Sequence, residues 1–100
     1  MVEIRWTDQS LIDIENIAEF IAKDSERYAS IQVERFFQET DILVTFPESG
    51  RIVPEIKNKD IREIIFGNYR IIYRISSSSK IDILTIHHGR RLIKKDSLLR

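Results

Sequence analysis

The chain opens on an alternation. In "VEIRW" Val2, Ile4 and Trp6 fall on one side and Glu3 and Arg5 on the other, which is the period of a short strand. Thr7 or Asp8 can then cap a helix, because either offers a side-chain oxygen to the free amide hydrogens of a first turn. Leu11, Ile14, Ile17, Ala18 and Ile21 recur at steps of three and four and make one apolar stripe. "AKDSERY" interrupts that stripe, and Asp24 or Ser25 can cap a second helix. Ala29, Val33, Phe36, Phe37, Leu43 and Val44 carry the helical spacing on to Pro47, which cannot extend it. So short a connection makes the two helices an antiparallel hairpin. At this spacing the Phe36–Phe37 pair reads as core packing.

Residues 47–60, "PESGRIVPEIKNKD", carry the Pro and Gly punctuation of a loop. Three β-rich runs follow. "IREIIF" and "YRIIYRI" are separated only by Gly67–Asn68, a two-residue hairpin turn in which glycine supplies positive φ. "SSSSK" is a polar loop before "IDILTIHH". The order is β-α-α-β-β-β: an α+β domain with a helical hairpin packed on a mainly antiparallel four-stranded sheet, spanning residues 1–100 as one unit.

The tight turn also sets a register, in which Phe66 faces Tyr69, Ile65 faces Arg70, Ile64 faces Ile71, and Arg62 faces Tyr73. One sheet face then carries Ile64, Phe66, Tyr69, Ile71, Tyr73 and Ile75, with Arg62 toward its outer end, and this is the face for the helices to cover. The other carries Ile61, Glu63, Ile65, Arg70, Ile72 and Arg74. Two arginines to one glutamate leave a positive surplus there, beyond what a cross-strand ladder worth ~0.2–1 kcal/mol per pair requires.

Composition changes this picture in one respect. The net charge of zero conceals eleven Asp or Glu against four Lys or Arg in residues 1–48, and twelve Lys or Arg against five acids in residues 49–100. The halves are therefore −7 and +7, and the basic half suggests an anionic partner. Cysteine is absent, so neither a disulfide framework nor a thiolate site can form. No apolar run approaches the ~18 residues of a membrane span, and no signal-peptide pattern opens the chain. A cytoplasmic protein without cofactor, metal or membrane partner is expected.

Chemistry concentrates in "IDILTIHHGRR", where a strand runs into two histidines, a glycine and two arginines. Adjacent strand histidines point apart and no third ligand has suitable spacing, so metal is disfavoured. Only one of His87 and His88 can share the face bearing Arg70. Gly89 releases the chain from the strand and lets Arg90 and Arg91 reach its rim. Guanidinium groups gathered there suit phosphate or carboxylate. Lys94, Lys95 and Arg100 extend the basic tail, and its leucines are available to dock it.

The element order, the "PESGRIVPE" loop, "IREIIFGNYRIIYRI" and the terminal "HHGRR" resemble the RelE/ParE superfamily of bacterial and archaeal toxins, across nearly the whole chain. The resemblance implies the toxin of a type II toxin–antitoxin module, bound in a hetero-oligomer by its antitoxin. It implies one of two targets, or else a non-toxic module whose remaining partner is the antitoxin. RelE-like members cleave messenger RNA in the ribosome, and for them Arg70, a histidine of the pair (His88 is carried here) and Arg90 or Arg91 would be catalytic. Yet Ile61 and Glu63 stand where that branch offers lysines, and no tyrosine follows Tyr73. ParE-like members poison DNA gyrase and are similar in their "GR..PE" loop, here Gly50–Arg51 and Pro54–Glu55, and in "HGRR". This chain resembles the ParE-like branch more closely. Arg51, Arg62, Arg74, Arg91, Lys94 and Lys95 are then candidate contacts to target or antitoxin. An acidic, partly helical antitoxin segment is expected along the basic sheet face or in the groove beside the helical hairpin.

Overall fold

A computed structural model describes residues 2–89. Strand β1 (Glu3–Trp6) leads into helix α1 (Asp8–Ala22), and a short turn leads into α2 (Glu26–Thr40). The caps are Thr7, whose hydroxyl accepts from the Ser10 amide at 3.3 Å, and Ser25, which accepts from the Tyr28 amide at 3.1 Å. The helical spacing beyond Phe37 does not make one helix. Thr40, buried, turns its hydroxyl back to the Phe37 carbonyl (2.9 Å), and the Asp41 amide closes on Gln38, three residues back. That tighter turn ends α2 and starts a separate one-turn helix, α3 (Ile42–Thr45).

Among the described residues the sheet has five strands rather than the four expected. Its order is β1-β5-β4-β3-β2, with β2 (Arg51–Ile52), β3 (Ile61–Phe66), β4 (Tyr69–Ser77) and β5 (Lys80–His88). The addition, β2, is two residues long and falls inside the segment that reads as a loop, too short for any periodicity. The α+β class stands, and so does the hairpin register: Phe66 opposes Tyr69, Ile65 opposes Arg70 and Arg62 opposes Tyr73. Gly67 in the turn has φ +57°. β1 lies parallel to β5, and the remaining pairs are antiparallel.

The main core fills the space between helices and sheet. Ile14, Phe36 and Leu43 come from the helical side, and Ile71, Tyr73, Ile81, Ile83 and Ile86 from the sheet. The phenylalanine pair divides: Phe36 is fully buried between the rings of Phe66 and Tyr69, while Phe37 is 39% exposed and lies 4.6 Å from the Trp6 ring. A second, smaller apolar cluster forms on the opposite sheet face. There Val53 and Ile56 of the 53–60 segment close over Ile61, Ile72 and Leu84. The outer face is thus half covered.

Candidate partner-binding face

The covering segment is held by three side chains of the sheet. Tyr73, fully buried, donates its hydroxyl to the Pro47 carbonyl (2.7 Å) and accepts from the Gly50 amide (3.0 Å). Gly50 sits so close that a Cβ would meet the Tyr73 ring and the Glu63 carbonyl oxygen at 2.7 Å, so glycine is required there. Arg62, at the outer end of the helix-covered face, spends its guanidinium on backbone carbonyls of Lys59 (2.9 Å) and Gly50 (3.0 Å). It organises the loop.

Arg70 is the third. Its Nε donates to Glu63 at 2.6 Å, and its two terminal nitrogens donate to both oxygens of Glu55 at 2.8 Å, in bidentate geometry. The residue is 8% exposed. Glu63, whose side chain is fully buried, also accepts from Arg51 Nε at 2.5 Å. The hydrogen bond to Glu55 raises the Arg70 pKa above its ordinary value; burial opposes this, and Glu63 adds to the rise. The positive surplus read from the strands is therefore absent at this end, because the loop supplies Glu55 as a second carboxylate. Its signal lay in plain view in the Pro54–Glu55 pair, but nothing local said where a loop glutamate would land.

The other end of the same face is open. Asp82 accepts from Arg5 (2.9 Å), Ser76 (2.7 Å) and Arg74 (3.4 Å). Burial alone would push the Asp82 carboxyl up, but the hydrogen bonds from Ser76 and Arg5, with the charge of Arg5, outweigh it and hold its pKa below the usual value. The Arg5 and Arg74 side chains are 59% and 42% exposed. Arg5 was not among the sequence candidates. Its signal is the alternation of "VEIRW", which places it opposite the core-facing Ile4 and Trp6; the missing fact was that β1 joins the sheet beside Asp82.

The histidines change places. A register shift between Ile72 and Tyr73 inserts Leu84 into β5 as an extra residue, so the alternation reverses beyond it. Unbroken alternation from Ile81 and Ile83 would put His88 on the Arg70 face. Instead His87 opposes Arg70, and His88 opposes Tyr69 on the helix side, with ring centroids 5.2 Å apart. The histidine carried as a catalytic candidate is therefore turned away from Arg70. Arg90, Arg91, Lys94 and Lys95 lie outside the described residues. An open depression of about 760 Å³ remains beside Arg51, Glu55, Ile65 and Arg70. Among the described residues no group of His, Cys, Asp and Glu side chains could hold a metal, and no helix is long and apolar enough to cross a membrane.

A sequence profile described as "ParE toxin of type II toxin-antitoxin system, parDE" matches residues 4–93. The chain belongs to the ParE toxin family. It is similar to a Sinorhizobium fredii (strain NBRC 101917 / NGR234) protein named "Putative toxin Y4kP", with 35% identity over 88 residues and 86% of each chain covered. Among solved structures it is similar to one titled "Chromosomal ParDE TA system from P. aeruginosa". That likeness has a TM-score of 0.74 at 17% identity, covering 90% of this chain and 98% of the other, and it bears on the fold. The ParE-like branch of the superfamily, a toxin of a type II toxin–antitoxin system, is thus where the chain sits.

Proposed function

We propose that this ParE-family toxin acts by binding and inhibiting DNA gyrase without covalent chemistry of its own, and that a cognate antitoxin neutralises it in a cytoplasmic hetero-oligomer. The observation that carries the reading is the state of Arg70. A ribonuclease built on this sheet needs that guanidinium free to meet phosphate charge as it develops. Here it is buried and held by two carboxylates, with His87 of the pair opposite it. In this reading the target contacts are the partly exposed Arg74 and the exposed Arg51, with Arg91, Lys94 and Lys95 of the tail. Arg62 acts indirectly by shaping the loop.

The test is a supercoiling assay with purified, folded toxin. Inhibition of gyrase, relieved by the antitoxin, is the expected result. Unaffected supercoiling at saturating toxin overturns the reading. Cleavage of messenger in programmed ribosomes, lost on Arg70→Ala, would put a ribonuclease in its place.

A further inference from the structure

β1 is an edge strand with a self-complementary sequence. Among the described residues only β5 pairs with it. The Glu3 amide bonds Ser79 and the Thr7 amide bonds Ile83, so Glu3, Arg5 and Thr7 direct their backbone groups toward β5. By the alternation of a strand, Val2, Ile4 and Trp6 direct theirs outward to the open edge. The edge carries no proline, bulge or lysine, and its protection among the described residues is its four-residue length and the charges of Glu3 and Arg5.

We propose that the open edge of β1 pairs antiparallel with β1 of a second copy, about a two-fold axis at Ile4. In this register Ile4 opposes Ile4 of the other copy and exchanges both backbone hydrogen bonds with it. Val2 opposes Trp6, and Glu3 opposes Arg5, twice by symmetry. Charge selects the register. Shifting the axis to residue 3 sets glutamate against glutamate, and shifting it to residue 5 sets arginine against arginine; like charges directly opposed destabilise a pair. Glu3 and Arg5 lie on the outer face, both exposed, and Arg5 commits its Nε to Asp82, leaving its terminal nitrogens for the carboxylate of the partner copy. Apolar surface flanks the strand on the helix side. Phe37 packs against Trp6 with its ring tilted by 58°, and α3, packed against β1, presents Ile42 at 50% exposure. The product is a continuous ten-stranded sheet with a short, weak joint between its halves.

Sedimentation of the purified full chain from micromolar to millimolar concentration should show a monomer–dimer equilibrium. Glu3→Arg, at an exposed position, should weaken it about tenfold, since two attractive pairs become repulsive. Mixing E3R with R5E should restore association, because arginine pairs then face glutamate pairs. A cysteine-free chain allows a second readout that needs only folded protein. In the proposed register residues 3 and 5 of opposite copies sit about 4.5 Å apart at Cα, whereas residue 3 is more than ~7 Å from its own symmetry mate. Under mild oxidation E3C mixed with R5C should therefore cross-link, and E3C alone should not. A chain that stays monomeric throughout, a dimer indifferent to E3R, or equal cross-linking by E3C alone would each overturn the proposal.

Discussion

One sheet face carries two arginine–carboxylate clusters of similar chemistry and opposite circumstance. At the hairpin end Arg51 and Arg70 meet Glu55 and Glu63, two charges against two, with Arg70 and Glu63 buried and the Arg51 side chain 60% exposed at the rim. At the other end Arg5 and Arg74 share Asp82, two against one, with side chains 59% and 42% exposed. The loop makes the difference, since it brings a carboxylate and an apolar lid, Val53 and Ile56, to the first cluster only. The buried Arg70–Glu63–Glu55 group fixes structure, while Arg51 at its rim and the surplus cation of the other cluster face solvent, where a partner can meet them. Arginine content therefore does not locate the binding surface; what lies above each arginine does.

The sharpest way to break the comparison is to unbalance the covered cluster. Glu63→Ala leaves Arg70 buried without the Glu63 carboxylate and releases Arg51. Removing one member of a buried ion pair costs about 3–5 kcal/mol, so a large fall in urea midpoint is expected. An effect of surface size would mean that water reaches Arg70 and the two clusters are alike. Next in size is the strap beneath the lid. Tyr73→Phe deletes the hydroxyl that joins Pro47 to Gly50 and leaves the Gly50 amide buried without its acceptor. A loss of about 1–3 kcal/mol is expected, with faster amide exchange across residues 47–60 as the local signature.

At the open cluster the same operation should hardly register in stability. Arg74→Ala removes one long contact to Asp82 from a side chain that is 42% exposed, and exposed pairs contribute about 0.2–1 kcal/mol. Its effect should appear in gyrase inhibition instead, as a weaker dose response with an unchanged melting curve. A variant that melts early and inhibits normally would reverse the roles assigned to the two ends.

How far the sequence disclosed this follows from the range of the forces involved. The hairpin register was legible because Gly67–Asn68 allows one pairing, and every cross-strand partner follows from it. The helix stripe and the two cap regions were legible for the same local reason, but not the choice of Thr7 over Asp8 or Ser25 over Asp24, and Leu11 of the stripe is 44% exposed. Three further facts were not legible. The bulge at Leu84 depends on how β5 meets β4, and it alone decides which histidine faces Arg70. The landing of Glu55 depends on a loop closing over a sheet, and the closeness of Arg5 to Asp82 depends on two strands 77 residues apart in sequence. Each of these is a long-range contact, and each changes the chemistry of the face without altering the fold class.

The smallest effect is a slope and sharpens the comparison from its open side. The carboxyl of Asp82 is held below its usual pKa in the folded chain, against about 3.9 in an unfolded one. Between the two values the unfolded chain binds the extra proton, so stability rises with pH through that window. The contribution is fully present above the unfolded pKa and is lost as acid carries the solution down through the folded one. Asp82→Asn should flatten the acid limb of the stability curve below about pH 4 while leaving the slope above it unchanged. Arg74→Ala with Asp82 intact should keep most of the slope, because Ser76 and Arg5 hold Asp82 more closely than Arg74 does, at 2.7 and 2.9 Å against 3.4 Å. If Arg74→Ala alone removes the slope, Arg74 is bound into the cluster as firmly as Arg70 is into its own, and it is not the free cation that target binding requires.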